Sequence, residues 1–244
     1  MTKRIDSTRQ DEQPAFVLHS YPFRETSLII ETFTRSCGRI AVVARGARRP
    51  RSALRGVLLA FQPLLLSWSG KAELRTLHKA EWQGGYHALR GLALMCGFYL
   101  NELLLKLLPR DDAHDRLYAM YADTVQALGQ GADHAAVLRR FEKNLLRELG
   151  YALTLDRDAV SGAPICPERR YAYIIERGPV EADADAVGNG VELTGQTLLD
   201  MQTDDYTNAE TQQQSKALMR VLINHHLGNQ TLHTRVLLRD LQQF

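Results

Sequence analysis

From Pro14 onward apolar and polar residues alternate in short runs, and beyond residue 85 the apolar positions recur at helical spacing instead. Ala15 to Ser20 is the first strand-like run. Thr26 to Thr34 puts Leu28, Ile30 and Thr32 on one face and Ile29, Glu31 and Phe33 on the other. Arg39 to Arg45 sets Ile40, Val42 and Ala44 opposite Ala41, Val43 and Arg45. Ser36-Cys37-Gly38 between them reads as a hairpin turn, with Gly38 free to take positive φ. Phe61 to Trp68 and Glu73 to Trp82 flank Ser69-Gly70 as two more strands. Five short strands in so few residues predict a small β-barrel.

The period then changes. Tyr86 to Leu108 is apolar nearly all round and predicts a buried central helix ending before Pro109. Asp111 or Asp112 caps a second helix, with Leu117, Tyr121, Val125 and Leu128 on one face and Gly129 at its end. Asp133 caps a third, running to Gly150 with Val137, Leu138, Phe141, Leu145 and Leu149 on its apolar face. Thr207-Asn208-Ala209-Glu210 reads as a capping box for a helix that ends at Gly228, and Thr234 to Leu241 forms a last short helix. Thr154 to Tyr206 is loop-rich, with one strand at Tyr171 to Glu176 and a mobile segment at Glu181 to Gly190.

The fold class is therefore α+β. Residues 1–13 form a disordered polar tail and 14–83 the barrel domain. Residues 84–153 and 207–244 form a helical domain, and 154–206 a small acidic subdomain.

Composition is that of an ordinary water-soluble chain: 45% of the 244 residues are apolar and 24% charged. The first 13 residues lack the apolar core of a signal peptide. Asn101, Glu102 and Lys106 interrupt the longest apolar run, which excludes a membrane span there. Three widely separated cysteines, Cys37, Cys96 and Cys166, make neither a disulfide framework nor a metal knuckle and point to a reducing cytoplasm.

The net charge of +2 conceals a strong asymmetry. Residues 1–90 hold 15 Lys+Arg against 7 Asp+Glu, whereas residues 151–210 hold 4 against 12. Arg35, Arg39, Arg45, Arg48, Arg49, Arg51 and Arg55 follow one another with no acidic residue among them. Guanidinium groups suit phosphates because the planar fork donates two hydrogen bonds and keeps its charge. Nucleic acid is the expected ligand, with Arg24 adding to the basic set and exposed aromatics stacking on bases. Tyr21, Phe23, Phe33, Phe61 and Trp68 are available for stacking, and Tyr21 and Phe23, which flank Pro22, are the best placed.

A second basic stripe, Arg139, Lys143 and Arg147 with Arg140 adjacent, borders Phe141 and Leu145 on the third helix. It reads either as a solvated face or as a groove for an acidic peptide with apolar anchors. His225, His226 and His233 near a helix C-terminus read as structural. No phosphate loop, zincin or nucleophile-elbow motif occurs, so no enzyme and no cofactor are expected. Asp204-Asp205, or Asp111-Asp112 with Asp115, leave a metal-dependent nuclease as one alternative. An RNA-binding module is another, since phosphate contacts alone do not separate RNA from DNA.

Longer strings carry a resemblance. Ala15 to Thr34 (AFVLHSYPFRETSLIIETFT) and Gly38 to Arg48 (GRIAVVARGAR) resemble the start of the RecO family of DNA repair proteins. Phe61 to Leu66, Tyr99 to Leu104 (YLNELL) and Arg139 to Tyr151 (RRFEKNLLRELGY) continue the resemblance in order. It implies an N-terminal OB-fold and a helical domain. It also implies a non-enzymatic recombination mediator of the RecF pathway, cytoplasmic and at the nucleoid. Such a protein binds single- and double-stranded DNA, anneals complementary strands and, with RecR, helps load RecA onto DNA coated by single-strand-binding protein (SSB). The acidic, phenylalanine-ending SSB tail would dock on the helix carrying Arg139, Arg140, Phe141, Lys143, Leu145 and Arg147. Many such proteins hold zinc in a four-cysteine module after the LGY string. Here Asp158 and Ser161 occupy the positions of a C-x-x-C pair, so no zinc is expected, and packing alone should stabilise the acidic subdomain.

Overall fold

The computed structural model describes residues 9–182 and 190–241, which fall into two compact units, 1–131 with 232–244 and 132–231. In the first, β1 (Arg9–Phe23), β2 (Ser27–Thr34), β3 (Gly38–Ala44), β4 (Leu64–Ser69) and β5 (Leu74–Trp82) close a barrel in the order β1-β2-β3-β5-β4. All neighbours are antiparallel except β3 and β5, which run parallel with Val42 opposite Arg75. This is an OB-fold-like barrel. Closure depends on β1, whose first half pairs with β4 and whose second half pairs with β2, with irregularities near Gln10–Gln13 and Val17–His19 that bend it between the two. Arg9 to Gln13, expected in a disordered tail, are therefore strand residues held by β4.

Alternation decides the barrel interior. Ala15, Val17, Ile30, Ile40, Val42, Leu64, Leu66 and Trp68 fill it. The opposite face of β1 and β2 is buried too, because helices cover it. Phe16 and Phe33 pack on Tyr118 and Tyr121, with ring centroids 5.1–6.1 Å apart. Those tyrosines lie on α3 (Asp115–Gly129), which packs beside α2 (Gly91–Leu107). Asn101 of α2 joins both layers: its amide donates to the Leu18 carbonyl at 2.8 Å and its oxygen accepts from the Tyr121 hydroxyl at 2.6 Å. These contacts place α2 and α3 in the barrel's unit, where the sequence pattern had grouped them with the later helices.

Several predicted boundaries shift for local reasons. α2 begins at Gly91 rather than Tyr86, because Gly84 and Gly85 take positive φ and Arg90 is extended. One side of α2 stays open, with Leu92 and Phe98 exposed, so it is not buried all round. Neither Asp111 nor Asp112 caps α3. Asp111 has φ of 61°, donates its amide to the Arg39 carbonyl and pairs with Arg75, while His114 precedes the helix without a side-chain cap. Gly38 answers its prediction with φ of 67°, and a Cβ there would lie 1.7 Å from the Asp112 carbonyl oxygen.

The C-terminal helix α7 (His233–Leu241) is held in this unit by Glu102 of α2. The carboxylate accepts from the His233 and Thr234 amides at 2.8 and 2.9 Å and from the Thr234 hydroxyl at 2.6 Å, and it pairs with Lys106 at 3.2 Å. It is an N-cap supplied from 132 residues away. Burial pushes the Glu102 pKa up, but the Thr234 and His233 hydrogen bonds and Lys106 outweigh it and hold the carboxyl below its ordinary value. Because the folded pKa is depressed, this stabilisation is present above the unfolded-state value near about 4.3 and is lost as pH falls below it. Glu102→Gln should cost about 1–3 kcal/mol and weaken the pH dependence of unfolding in that acid range, measurable by denaturant titration across pH.

The second unit contains α4 (His134–Glu148), β6 (Arg170–Ile174), β7 (Gly178–Glu181), β8 (Val191–Thr194), α5 (Gly195–Thr203) and α6 (Ala209–Leu227). Asp133 caps α4 as predicted, accepting from the Ala135 and Ala136 amides. Asn208 rather than Thr207 caps α6. The region read as loop with one strand is a three-stranded sheet, β7-β6-β8, followed by α5. β7 and β8 are each four residues long, too short for an alternation pattern to register. The segment predicted to be mobile lies, from 183 to 189, outside the described residues.

Candidate functional site

The barrel sorts the seven clustered arginines to two ends of one ribbon. Register pairs Thr34 with Gly38 and Phe33 with Arg39 at one end of β2, and Leu28 with Ala44 at the other, roughly 20 Å away. Arg35 and Arg39 belong to the first end and are already engaged. Arg35 pairs with Asp115, which holds the guanidinium pKa above its ordinary value. Arg39 is largely buried, donates to the Leu105 carbonyl at 2.6 Å and faces Glu31 at 4.0 Å, so burial lowers its pKa despite that carboxylate. Glu31 is claimed as well by Arg110, which also binds Glu73.

Arg45, Arg48, Arg49, Arg51 and Arg55 follow from the second end, on the loop leaving β3 and on the short helix α1 (Leu54–Val57). All five are exposed, and none forms an ion pair among the described residues. The loop is tied back to the β1–β2 turn: the Arg48 amide donates to the Thr26 carbonyl at 2.9 Å and its side chain to the Arg24 carbonyl at 3.3 Å. Arg24, at φ of 53°, is exposed and lies over the Phe23 ring at 5.2 Å. Tyr21, 46% exposed, meets the His19 ring edge-on at 4.4 Å. Arg24, Tyr21 and Phe23 thus join the basic loop at one barrel rim. Phe33, Phe61 and Trp68 do not, since all three are buried. Exposed Trp82, at the end of β5, carried no basic neighbour in sequence to single it out.

The basic stripe on α4 divides in a similar way. Phe141 and Leu145 lie in the core and cannot line a groove. Arg139 is buried against Glu142 at 2.6 Å, and Lys143 donates to the Met201 carbonyl at 2.5 Å and pairs with Asp204 at 2.7 Å, so both hold the fold together. Arg147 is exposed on the surface. Arg140 alone of the set lines a cavity of about 250 Å³, with Asp133, Ala136, Val137, Tyr206 and Gln212 among its other lining residues. Its guanidinium sits 5.9 Å from the Tyr206 ring centroid and donates to the Asp204 carbonyl. Tyr206 is 2% exposed, and its hydroxyl finds no partner among the described residues. Val137 was legible as part of the apolar helix face, but Tyr206 reaches the cavity from the irregular segment between α5 and α6, with no sequence signal.

The acidic pairs do not converge. Asp204 holds Lys143, Asp205 accepts from the Thr207 amide and hydroxyl, and Asp111 and Asp115 hold Arg75 and Arg35. Among the described residues no three His, Cys, Asp or Glu side chains are grouped as a metal site would need. His225 meets Glu176 at 3.2 Å and His226 stacks on Tyr151 at 4.0 Å.

Two family models match in tandem: recombination protein O N terminal over residues 9–86, and recombination protein O C terminal over residues 89–235. The chain belongs to the RecO family. DNA repair protein RecO of Nitrosospira multiformis is 59% identical over 98% of this chain and 99% of its own. The protein of the same name from Aromatoleum aromaticum is 58% identical over 96% and 98%, and that from an Azoarcus species 57% identical over 96% and 97%. In this RecO-family chain the N-terminal model covers the whole barrel, and no helix among the described residues is long and apolar enough to cross a membrane.

Proposed function

We propose that this RecO-family chain is a non-catalytic recombination mediator that binds single- and double-stranded DNA at the barrel rim and anneals complementary strands. The observation that carries the reading is the gathering of Arg24 with Arg45, Arg48, Arg49, Arg51 and Arg55, exposed and without carboxylate partners among the described residues. A surface that neutralises phosphates offsets the repulsion between two strands, and contacts made mostly to the backbone leave base edges free to pair. Tyr21 and Phe23 beside the arginines would stack on unpaired bases. The cavity beside Arg140 supports docking of the acidic SSB tail. Arg140 would meet its carboxylates, and Ala136, Val137 and the Tyr206 ring would enclose its terminal phenylalanine. With RecR, a protein so anchored would help load RecA onto SSB-coated DNA at the nucleoid, in the cytoplasm.

Annealing of two complementary labelled oligonucleotides should proceed on the order of tenfold faster with the protein than without it at low salt, and the gain should vanish at high salt. An unchanged annealing rate would overturn the reading. Loss of intact strands in the presence of Mg²⁺ would replace it with a nuclease.

A further inference from the structure

Membership of the RecO family raises the question of zinc in the second unit, and the residues present do not fit it. A two-pair C-x-x-C module would need four sulfur ligands. Asp158 and Ser161 hold the positions of one C-x-x-C pair, and Cys166 is the one cysteine nearby in sequence. Asp158 is 5% exposed and its carboxylate is fully engaged. One oxygen accepts from the Val160 amide at 2.9 Å, the Ser161 amide at 2.6 Å and the Ser161 hydroxyl at 2.8 Å. The other accepts from the Glu181 amide at 2.7 Å. The Cys166 thiol is turned to Glu168 at 3.0 Å, and Arg169 pairs with Glu181.

Two hydrogen-bonded turns, one starting at Asp158 and one at Cys166, stand here instead. The Gly162 amide donates to the Asp158 carbonyl at 2.9 Å, and the Arg169 amide to the Cys166 carbonyl at 3.1 Å. The Cys166 amide donates to the Tyr171 hydroxyl at 2.9 Å. The two turns meet on one residue. Asp158 takes the backbone amide of Glu181, and Arg169 takes its carboxylate at 2.8 and 2.9 Å. A further bond from the Ala159 amide to the Pro179 carbonyl, 2.7 Å, ties the first turn along β7. We propose that Asp158, Glu181 and Arg169 form a metal-free cross-link that does the work of a zinc ion, joining the two turns through the end of β7. On this proposal the cross-link adds to the packing of Leu155, Ile165, Tyr171 and Tyr173 in the core of the subdomain.

The components should be unequal. Asp158 is buried and makes four hydrogen bonds, whereas the Arg169–Glu181 pair is about half exposed and screened by water. In Asp158→Asn the side chain keeps its shape, but an NH₂ group that cannot accept replaces one oxygen. Hydrogen exchange at the Glu181 amide should accelerate about ten- to hundredfold in that variant, against less than about threefold in Glu181→Gln. The wild-type chain should melt at the same temperature, within about 1 °C, with and without EDTA, since chelation unfolds only zinc-held domains. Metal analysis of the purified chain should find no stoichiometric zinc. Stoichiometric zinc or EDTA-sensitive melting in wild type would overturn the proposal, and that measurement needs no variant to fold. So would unchanged exchange in Asp158→Asn.

Discussion

Changing Arg45, Arg48, Arg49 and Arg51 together to alanine should lower affinity for single-stranded DNA on the order of 100-fold at low salt. The slope of log K against log salt should become less steep by about 2.8, since each phosphate no longer neutralised on a single strand accounts for roughly 0.7. The four side chains are exposed on a loop whose backbone is held by β3 and by the Arg48 amide on the Thr26 carbonyl, and truncation removes one exposed hydrogen bond, from Arg48 to the Arg24 carbonyl. Thermal stability should therefore hold while binding fails. Arg35 and Arg39 supply the contrast. Arg35→Ala removes a group already neutralised by Asp115 and should leave affinity nearly unchanged, and Arg39→Ala should destabilise the barrel instead, because Arg39 is buried beside Glu31. Fluorescence anisotropy over a salt series, with melting curves for each variant, separates these outcomes. If the quadruple variant binds like wild type, the barrel rim is not the DNA site.

The neighbouring arginines of α4 should part company just as clearly. Arg139→Ala leaves the wholly buried Glu142 carboxylate without its guanidinium and should cost about 3–5 kcal/mol of stability, as breaking one side of a buried pair does. Arg140→Ala removes an exposed side chain and should change stability by less than about 1 kcal/mol. Its effect should fall on binding: affinity for an acidic peptide ending in phenylalanine should drop about tenfold or more, as expected when a small pocket gives up one charge-assisted hydrogen bond. Denaturant titration reads the first result and peptide anisotropy the second. An Arg140 variant that retains peptide binding, or an Arg139 variant that retains stability, would show that the cavity and the buried pair have been given the wrong roles.

The five strands, the Asp133 cap and the turn at Gly38 were legible in sequence because each depends on residues a few positions apart. Alternation reports which face a side chain takes, and cap and turn chemistry report local φ and ψ. The same locality explains the basic tract: seven arginines without an acid declare an affinity for phosphate wherever the chain puts them. What they cannot declare is where each one goes. Arg39 and Arg48 look alike in sequence, yet β2–β3 register sends one against Leu105 and Glu31 and leaves the other at an open rim. Arg139 and Arg140 are consecutive, and the 100° turn between them buries one and opens the other. Phe141 and Leu145 were rightly apolar, but only the packing of α4 could place them in the core rather than in a groove. Asp158 reads in sequence as a missing ligand. Its hydrogen bond to Glu181, 23 residues away, makes it a tie between turns, and a partner that distant in the chain is supplied by tertiary structure alone.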